Sequence, residues 1–182
     1  MGASSALIFD ILINVAILLV FFRFLMQLAG VTPYNPVVLS THKATKIVDI
    51  FGRIFPTVGS GRVNLAAFVL VVLLYFLKVF GMKHLSGQSL GGSAYFVMST
   101  VLMMLHSLIS ILKYLLFAYI ICSWIVMLSQ TRSPYIEVIQ ELAEPMLAPF
   151  RKIMPNLGMI DLSPILAFFT LYIAEMMLSS IV

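Results

Sequence analysis

Charged residues are scarce in this 182-residue chain, and cysteine is almost absent. Asp, Glu, Lys and Arg make up 10% of the sequence, against about a quarter in an ordinary soluble domain. The single cysteine, Cys122, excludes a disulfide within the chain, and we expect it to act as a small apolar residue. The sequence also lacks a Gly-rich phosphate loop, a metal-ligand cluster and a nucleophile elbow. It therefore predicts a protein that has no cofactor and is not an enzyme.

Hydrophobic residues, by contrast, form 62% of the chain, and the mean hydropathy is +1.09. This composition is typical of an integral membrane protein, because a soluble domain has about half apolar residues. A spanning helix needs about 20 mostly apolar residues. Four regions meet this requirement: Ala6 to Ala29, Val63 to Met82, a segment within Tyr95 to Leu128, and Pro164 to Val182.

The third apolar region is too long for a simple span. Tyr95 to Leu128 would form a helix of roughly 50 Å at about 1.5 Å per residue, whereas the hydrocarbon core is about 30 Å thick. We expect one long helix that projects from the bilayer, because its first half is the more polar. The alternatives are a separate interfacial or re-entrant segment from Tyr95 to Ile111, or a fifth span.

A sequence pattern occurs twice, at a shift of 99 residues. Phe51-Gly52-Arg53-Ile54-Phe55-Pro56-Thr57-Val58-Gly59 corresponds to Phe150-Arg151-Lys152-Ile153-Met154-Pro155-Asn156-Leu157-Gly158. Phe, a basic residue, Ile, Pro and Gly recur, the last two as Pro56 with Gly59 and Pro155 with Gly158. A fixed internal period indicates a duplicated structural unit. We predict a first repeat over residues 6–82, a linker over 83–94 and a second repeat over 95–182.

Each repeat has an amphipathic stretch before this pattern. Pro36 to Phe51 and Pro134 to Phe150 place apolar residues on one helical face, so we predict two surface helices along the membrane plane. Asn35 and Ser133 are the predicted N-caps, and prolines are predicted to stop the helices at Pro56, Pro145, Pro149 and Pro155. Ser163 is the predicted cap of the last span, with Pro164 in its first turn.

Basic residues are distributed unevenly among the loops. The loops after spans one and three hold Lys43, Lys46, Arg53, Arg62, Arg132, Arg151 and Lys152, whereas the linker holds only Lys83. Loops rich in Lys and Arg stay in the cytoplasm. The predicted fold is therefore an all-α membrane protein with four spans and two parallel repeats. Both termini are periplasmic and the basic loops are cytoplasmic.

The sequence resembles the YggT family, also called YlmG, of bacterial and plastid membrane proteins. The resemblance rests on Ser123-Trp124, on Glu144 to Pro155, and on Met159-Ile160-Asp161-Leu162-Ser163-Pro164. It implies a small multi-pass protein of the bacterial inner membrane. Relatives are associated with cell-division neighbourhoods, osmotic or ion stress, and assembly of membrane complexes, but the family has no common biochemistry.

Five charged residues lie inside predicted spans: Asp10, Arg23, Lys78, Lys113 and Glu175. Charges in a bilayer are expensive and are usually paired or functional. Two acids and two lysines at similar depth form either an ion path or neutralising pairs. We favour pairs, with Arg23 extending toward the cytoplasmic interface.

The predicted cytoplasmic interface carries the remaining candidate residues. Arg53, Arg151 and Lys152 can bind anionic headgroups or a partner, and Glu141 and Glu144 belong to an acidic face of the second amphipathic helix. We therefore expect a scaffold or assembly factor that contacts lipid and other membrane proteins but no nucleic acid, with a homo-oligomer among the expected assemblies. An oligomeric subunit for ion or osmolyte transport is the alternative.

Overall fold

The computed structural model describes residues 2–59, 61–130, 133–153 and 161–180, and helices dominate throughout them. In chain order the helices are α1 (Gly2–Ala29), α2 (Pro36–Ala44), α3 (Ile47–Phe51), α4 (Leu65–Leu85), α5 (Ser93–Ser129), α6 (Pro134–Ile153) and α7 (Ser163–Ser179). Strands β1 (Thr57–Val58) and β2 (Val63–Asn64) form an antiparallel hairpin between α3 and α4. The prediction of an all-helical class is confirmed, with this small hairpin as an addition.

Within the described residues, three helices are long and apolar enough to cross a bilayer: α1, α4 and α5. Their outward faces are apolar as well, with exposed Leu7, Ile11, Leu73 and Leu77 among others. Such faces suit lipid rather than water. The fourth predicted span is shorter in the structure, because α7 has 17 residues, about 26 Å at about 1.5 Å per residue.

The long apolar region is one continuous helix. α5 runs unbroken for 37 residues, so the alternative of a separate segment from Tyr95 to Ile111 is wrong. Its length is about 55 Å. Thr100 lies in its first half, is almost fully buried, and donates its hydroxyl to the Phe96 carbonyl at 2.7 Å. Such a bond returns a polar group to the helix backbone, so the helix tolerates it in apolar surroundings.

The first amphipathic stretch is not one helix, which corrects the prediction for Pro36 to Phe51. It divides into α2 and α3 at Thr45 and Lys46. The Val48 and Asp49 amides donate to the carbonyls of Thr45 and Lys46, three residues earlier in the chain, rather than to the carbonyls four residues earlier. Arg23 lies against this break: its Nη1 donates to the Thr45 carbonyl at 2.9 Å, and the same carbonyl accepts the Val48 amide with its second lone pair.

The second amphipathic stretch continues through both prolines that were expected to stop it. Pro145 and Pro149 lie inside α6, which ends at Ile153. Each proline removes one helical N–H and costs about 3 kcal/mol in a helix interior. Burial of Leu142, Ala143 and Leu147 on the inner face of α6 offsets that cost, since residues before and after Pro145 share one packed surface.

The described helices fall into two compact units. Unit 1 comprises Met1–Leu28 with Ser40–Met104, and unit 2 comprises Ala29–Leu39 with Leu105–Val182. In unit 1, α3 and β1 pack against α4. Asn64 caps α4 by accepting the Ala67 amide at 2.9 Å. Gly59 follows β1 with φ +63°, a backbone conformation that glycine adopts at no steric cost.

In unit 2, α6 packs against α7 through a small apolar cluster. Leu116 of α5, Ala143 and Leu147 of α6 and Ala167 of α7 are all buried, with Phe150 against them. Asn35 accepts the Val37 amide at 2.9 Å, so the predicted cap of the first amphipathic helix is confirmed. Pro36 and Pro134 occupy the first position of their helices, also as predicted.

Candidate functional site

Arg151, near the end of α6, connects this helix to α5 and to Asp161, which lies just before α7. Its Nη1 donates to both carboxylate oxygens of Glu144 at 2.6 Å, and its Nε donates to Asp161 Oδ2 at 3.0 Å. Its Nη2 donates to the Tyr119 hydroxyl of α5 at 3.0 Å. The planar guanidinium fork suits this geometry, because it directs donors to several acceptors at once. We call Arg151, Glu144, Asp161 and Tyr119 the Arg151 clamp.

Contacts within the clamp shift the pKa values of Arg151 and Asp161. Burial alone would lower the pKa of Arg151, but hydrogen bonds to Glu144 and Asp161 outweigh it and raise the pKa above its ordinary value. Burial alone would likewise raise the pKa of Asp161. Bonds from Ser163 and Arg151 outweigh that effect and bring the Asp161 pKa below its usual range. Arg151 and Asp161 are therefore both charged at neutral pH.

Asp161 also determines how α7 begins, and here one prediction was wrong. The helix starts at Ser163, with Leu162 at the N-cap position and no side-chain cap bond from Leu162. Ser163 is therefore the first helical residue rather than the cap. Asp161 Oδ1 accepts the Ser163 amide at 2.9 Å, so the carboxylate satisfies a helix N-terminal N–H. Pro164 lies in the first turn, as predicted.

Glu175 on α7 has three polar neighbours on α5. Its carboxylate accepts hydrogen bonds from Lys113 Nζ and Ser110 Oγ, and His106 Nε2 lies 3.9 Å from Oε1. The Lys113 ammonium lies 5.5 Å from the centre of the Tyr172 ring, within cation–π range. Both side chains of the ion pair are 14% exposed. The structure therefore brings together two of the predicted intramembrane charges in unit 2.

Asp10 and Lys78 form the corresponding pair in unit 1. Lys78 Nζ lies 3.4 Å from Asp10 Oδ1, and it donates to Asn14 Oδ1 at 2.8 Å. Asn14 in turn donates to Asp10 Oδ2 at 3.0 Å. Each pair thus joins one apolar helix to another and leaves no net charge.

Arg23 is the fifth charged residue of the predicted spans, and it is 4% exposed. Besides the Thr45 carbonyl, its Nη1 donates to Thr45 Oγ1 at 3.2 Å, and its Nη2 forms an ion pair with Asp49. Because both partners lie at the α2–α3 break, Arg23 connects the end of α1 to that break. Its side chain is buried within unit 1.

The residues predicted as a lipid or partner interface divide into two groups. Arg151 and Glu144 are engaged in the clamp, and Glu141 accepts the Thr32 amide at 2.8 Å and its hydroxyl at 3.1 Å. Arg53 and Lys152 are exposed. Of the repeat-motif residues, Pro56 is exposed beside the hairpin, whereas Pro155 and Gly158 lie outside the described residues.

Several site residues had escaped sequence reasoning. Asn14 follows Asp10 by four residues, which places both side chains on one helical face. A polar amide is rare in an apolar run, so this spacing could have predicted that Asn14 bonds to Asp10. Ser110 precedes Lys113 by three residues in the same way. Thr45 and Asp49 gave no comparable signal, because their role depends on a helix break.

The part of the chain that the structure describes contains no group of three His, Cys, Asp or Glu residues suited to a metal ion.

The chain is similar to one protein-family model and to several bacterial proteins over most of their length. The family model for CCB3/YggT matches residues 98–182, which contain the Arg151 clamp and the Lys113–Glu175 pair. The protein named "Uncharacterized protein PA0392" from Pseudomonas aeruginosa is 33% identical over 182 residues, which cover 97% of this chain and 89% of that protein. A Vibrio alginolyticus protein named "Uncharacterized protein in proC 3'region" is 32% identical over 181 residues, which cover 98% of this chain and 95% of that protein.

The name YggT appears among these relatives directly. "Uncharacterized protein YggT" from Escherichia coli K12 is 29% identical over 156 residues, which cover 85% of this chain and 78% of that protein. No solved structure matches the chain. Because the similarity extends over most of each relative and the family model matches the second half of the sequence, the chain belongs to the CCB3/YggT family.

Proposed function

We propose that this protein is a non-enzymatic scaffold or assembly factor of the bacterial inner membrane, and that α6 is its docking surface. The observation that carries the proposal is the way α6 is fixed. Its inner face is buried at Val138, Leu142 and Leu147, and the Arg151 clamp secures its end. A helix fixed on one side presents its other side as a rigid surface, and a rigid surface loses little conformational entropy when a partner binds.

The outer side of α6 has the composition of a recognition surface. Tyr135 is 70% exposed and Glu137 is exposed in the first turns, and Lys152 is exposed at the other end. Tyrosine contributes a large contact area with few rotatable bonds. Since Glu141 and Glu144 are engaged inside unit 2, we assign partner contacts to Tyr135, Glu137 and Lys152 rather than to the whole acidic face.

The proposal includes the membrane arrangement deduced from the sequence. Four spans form two parallel repeats over residues 6–82 and 95–182, both termini are periplasmic, and α6 lies at the cytoplasmic surface. In this arrangement the fourth span is α7, whose 26 Å is short for a hydrocarbon core of about 30 Å. Local thinning of the bilayer accommodates a short helix at modest cost. The partners are then membrane or membrane-associated proteins.

Site-specific photo-crosslinking in living cells tests the proposal. A photoreactive residue at Tyr135 or Glu137 is expected to give a discrete crosslinked protein band. The same residue at Ile173, which is exposed on the apolar α7, serves as the matched control and is expected to give lipid adducts. If positions 135 and 137 give no discrete band, or a band that also appears at 173, α6 is not the docking surface.

Transport of an ion or osmolyte by an oligomer is the second candidate function. The cluster around Glu175 favours it, because His106, Ser110 and Lys113 place polar groups beside an intramembrane carboxylate, and such groups often mark ion pathways. Reconstitution into proteoliposomes distinguishes the two functions. A scaffold is expected to leave proton and cation gradients intact, whereas a transporter dissipates them, and Glu175→Gln abolishes that flux.

A further inference from the structure

Unit 1 contains a polar cleft that the α6 docking surface does not involve. The cleft has a volume of about 400 Å³ and lies among the end of α1, α3 and the β-hairpin. Arg23, Arg53 and Asp49 supply its charged lining. Two guanidinium groups and one carboxylate give the cleft a net charge of +1, so its ligand is expected to be an anion.

Arg23 is held in this cleft by the backbone, independently of its ion pair. Its Nη1 is engaged by the carbonyl and hydroxyl of Thr45. Its Nε is buried and has no acceptor among the residues that the structure describes. A guanidinium has five N–H donors, and the bonds to Thr45 and Asp49 do not use all of them. Arg23 thus remains in place and keeps donor capacity if Asp49 leaves.

The Asp49 carboxylate can move out of its ion pair with Arg23. Its side chain is 62% exposed, whereas that of Arg23 is 5% exposed. Water solvates a carboxylate well, so rotation of Asp49 away from Arg23 costs little, provided that another anion replaces it. Asp49 therefore occupies the position that an oxyanion of a ligand would take.

Two amides add further donors to the same cleft. Gln27 Nε2 donates to the Gly61 carbonyl at 2.7 Å, and Asn64 Nδ2 donates to Gln27 Oε1 at 2.8 Å. These bonds fix both side chains, and each NH₂ group carries a second hydrogen. The cleft thus combines fixed amide donors with two guanidinium groups.

We infer that this cleft binds a phosphate group, carried either by an anionic lipid headgroup or by free inorganic phosphate. A phosphate presents several oxygens at once, and guanidinium groups bind it with two parallel bonds. The surroundings suit a lipid, because Ile50 and Ile54 are 63% and 72% exposed on either side of Arg53. An apolar surface with nearby arginines is typical of segments that contact anionic membranes.

Binding measurements on the full-length protein in zwitterionic detergent test this inference. Isothermal titration uses three probes: short-chain phosphatidylglycerol, inorganic phosphate and short-chain phosphatidylcholine. We expect saturable binding of phosphatidylglycerol, with phosphatidylcholine much weaker because its choline is cationic. Saturable binding of inorganic phosphate as well would show that the phosphate group suffices, and binding of phosphatidylglycerol alone would identify the lipid as the source. Saturable binding of neither would overturn the inference.

Three variants locate the binding in the cleft. Arg53→Gln is expected to weaken it about fivefold, as for the loss of one basic residue near a charged surface. Arg62→Gln is the matched control, since Arg62 is exposed in unit 1 and is not among the described residues that line the cleft. Asp49→Asn is expected to tighten binding several-fold, because the competing carboxylate is gone. Equal losses in both arginine variants, or no tightening in Asp49→Asn, would contradict the proposed site.

Discussion

Removal of one charge from the Lys113–Glu175 pair is expected to destabilise the protein strongly. In Glu175→Gln, the Lys113 ammonium loses its counterion in a site where both side chains are 14% exposed. Breaking a buried ion pair by removing one partner costs about 3–5 kcal/mol. We expect about 3 kcal/mol, the lower end of that range. The amide still accepts from Ser110, and the ammonium still faces the Tyr172 ring.

Thermal unfolding of the detergent-purified protein measures this effect. A loss of about 3 kcal/mol corresponds to a fall in Tm of about 6–12 °C for a chain of this size. Asp10→Asn is the matched comparison, because Lys78 and Asp10 are 19% and 33% exposed and lie 3.4 Å apart. We expect a cost of about 1 kcal/mol for Asp10→Asn, about that of one hydrogen bond, since Lys78 keeps its 2.8 Å bond to Asn14 Oδ1.

A compensating substitution separates the structural role from the transport role. In the Glu175→Gln/Lys113→Met double variant no charge remains buried, so the Tm is expected to return to within a few degrees of the native value. A Glu175→Gln protein as stable as the native one would refute the reasoning. If that stable variant had also lost ion flux in proteoliposomes, the pair would belong to an ion path.

Three further experiments test the remaining features. Arg151→Lys keeps the charge but lacks the guanidinium fork, so it is expected to lower the free energy of unfolding by about 1–2 kcal/mol, measured by thermal unfolding. Asp161 has a lowered pKa, so its stabilising contribution is complete above the unfolded value of about 3.9 and is lost as pH falls through the folded value. Asp161→Asn should therefore reduce the loss of Tm between pH 5 and pH 3. Gly87→Cys in a Cys122→Ser background is expected to react with an impermeant thiol reagent from the periplasm.

Each of these experiments has a distinct contradictory outcome. An unchanged Tm in Arg151→Lys would show that a single charge suffices for the clamp. Equal acid sensitivity of the native protein and Asp161→Asn would assign that sensitivity to other carboxylates. Labelling of Gly87→Cys only from the cytoplasmic side would reverse the proposed orientation.

Most of the helical architecture was predictable from local sequence patterns. The runs that form α1, α4 and α5 are apolar over 20 residues or more, and neither a loop nor an ordinary soluble fold can accommodate such runs. Pro36 and Pro134 marked helix starts correctly, because proline lacks an N–H that the first turn does not need. The orientation, the two repeats and the fourth span remain predictions.

The errors occurred at positions that contact residues distant in the sequence. The first amphipathic stretch divides at Thr45, whose carbonyl accepts a hydrogen bond from Arg23, 22 residues earlier in the chain. Pro145 and Pro149 remain inside α6 because tertiary burial outweighs helix propensity. Such effects depend on contacts that no window of neighbouring residues contains.

The sequence by itself determined which segments are apolar helices, that charges within them are few, and that those charges require partners. Low charge density and long hydrophobic runs are local properties, so they can be identified before folding. Only the tertiary structure decided which charges meet: Lys113 with Glu175, Lys78 with Asp10, and Arg151 with Glu144 and Asp161. An ion pair requires atoms to approach within a few ångströms, and the packing of separate helices sets that distance.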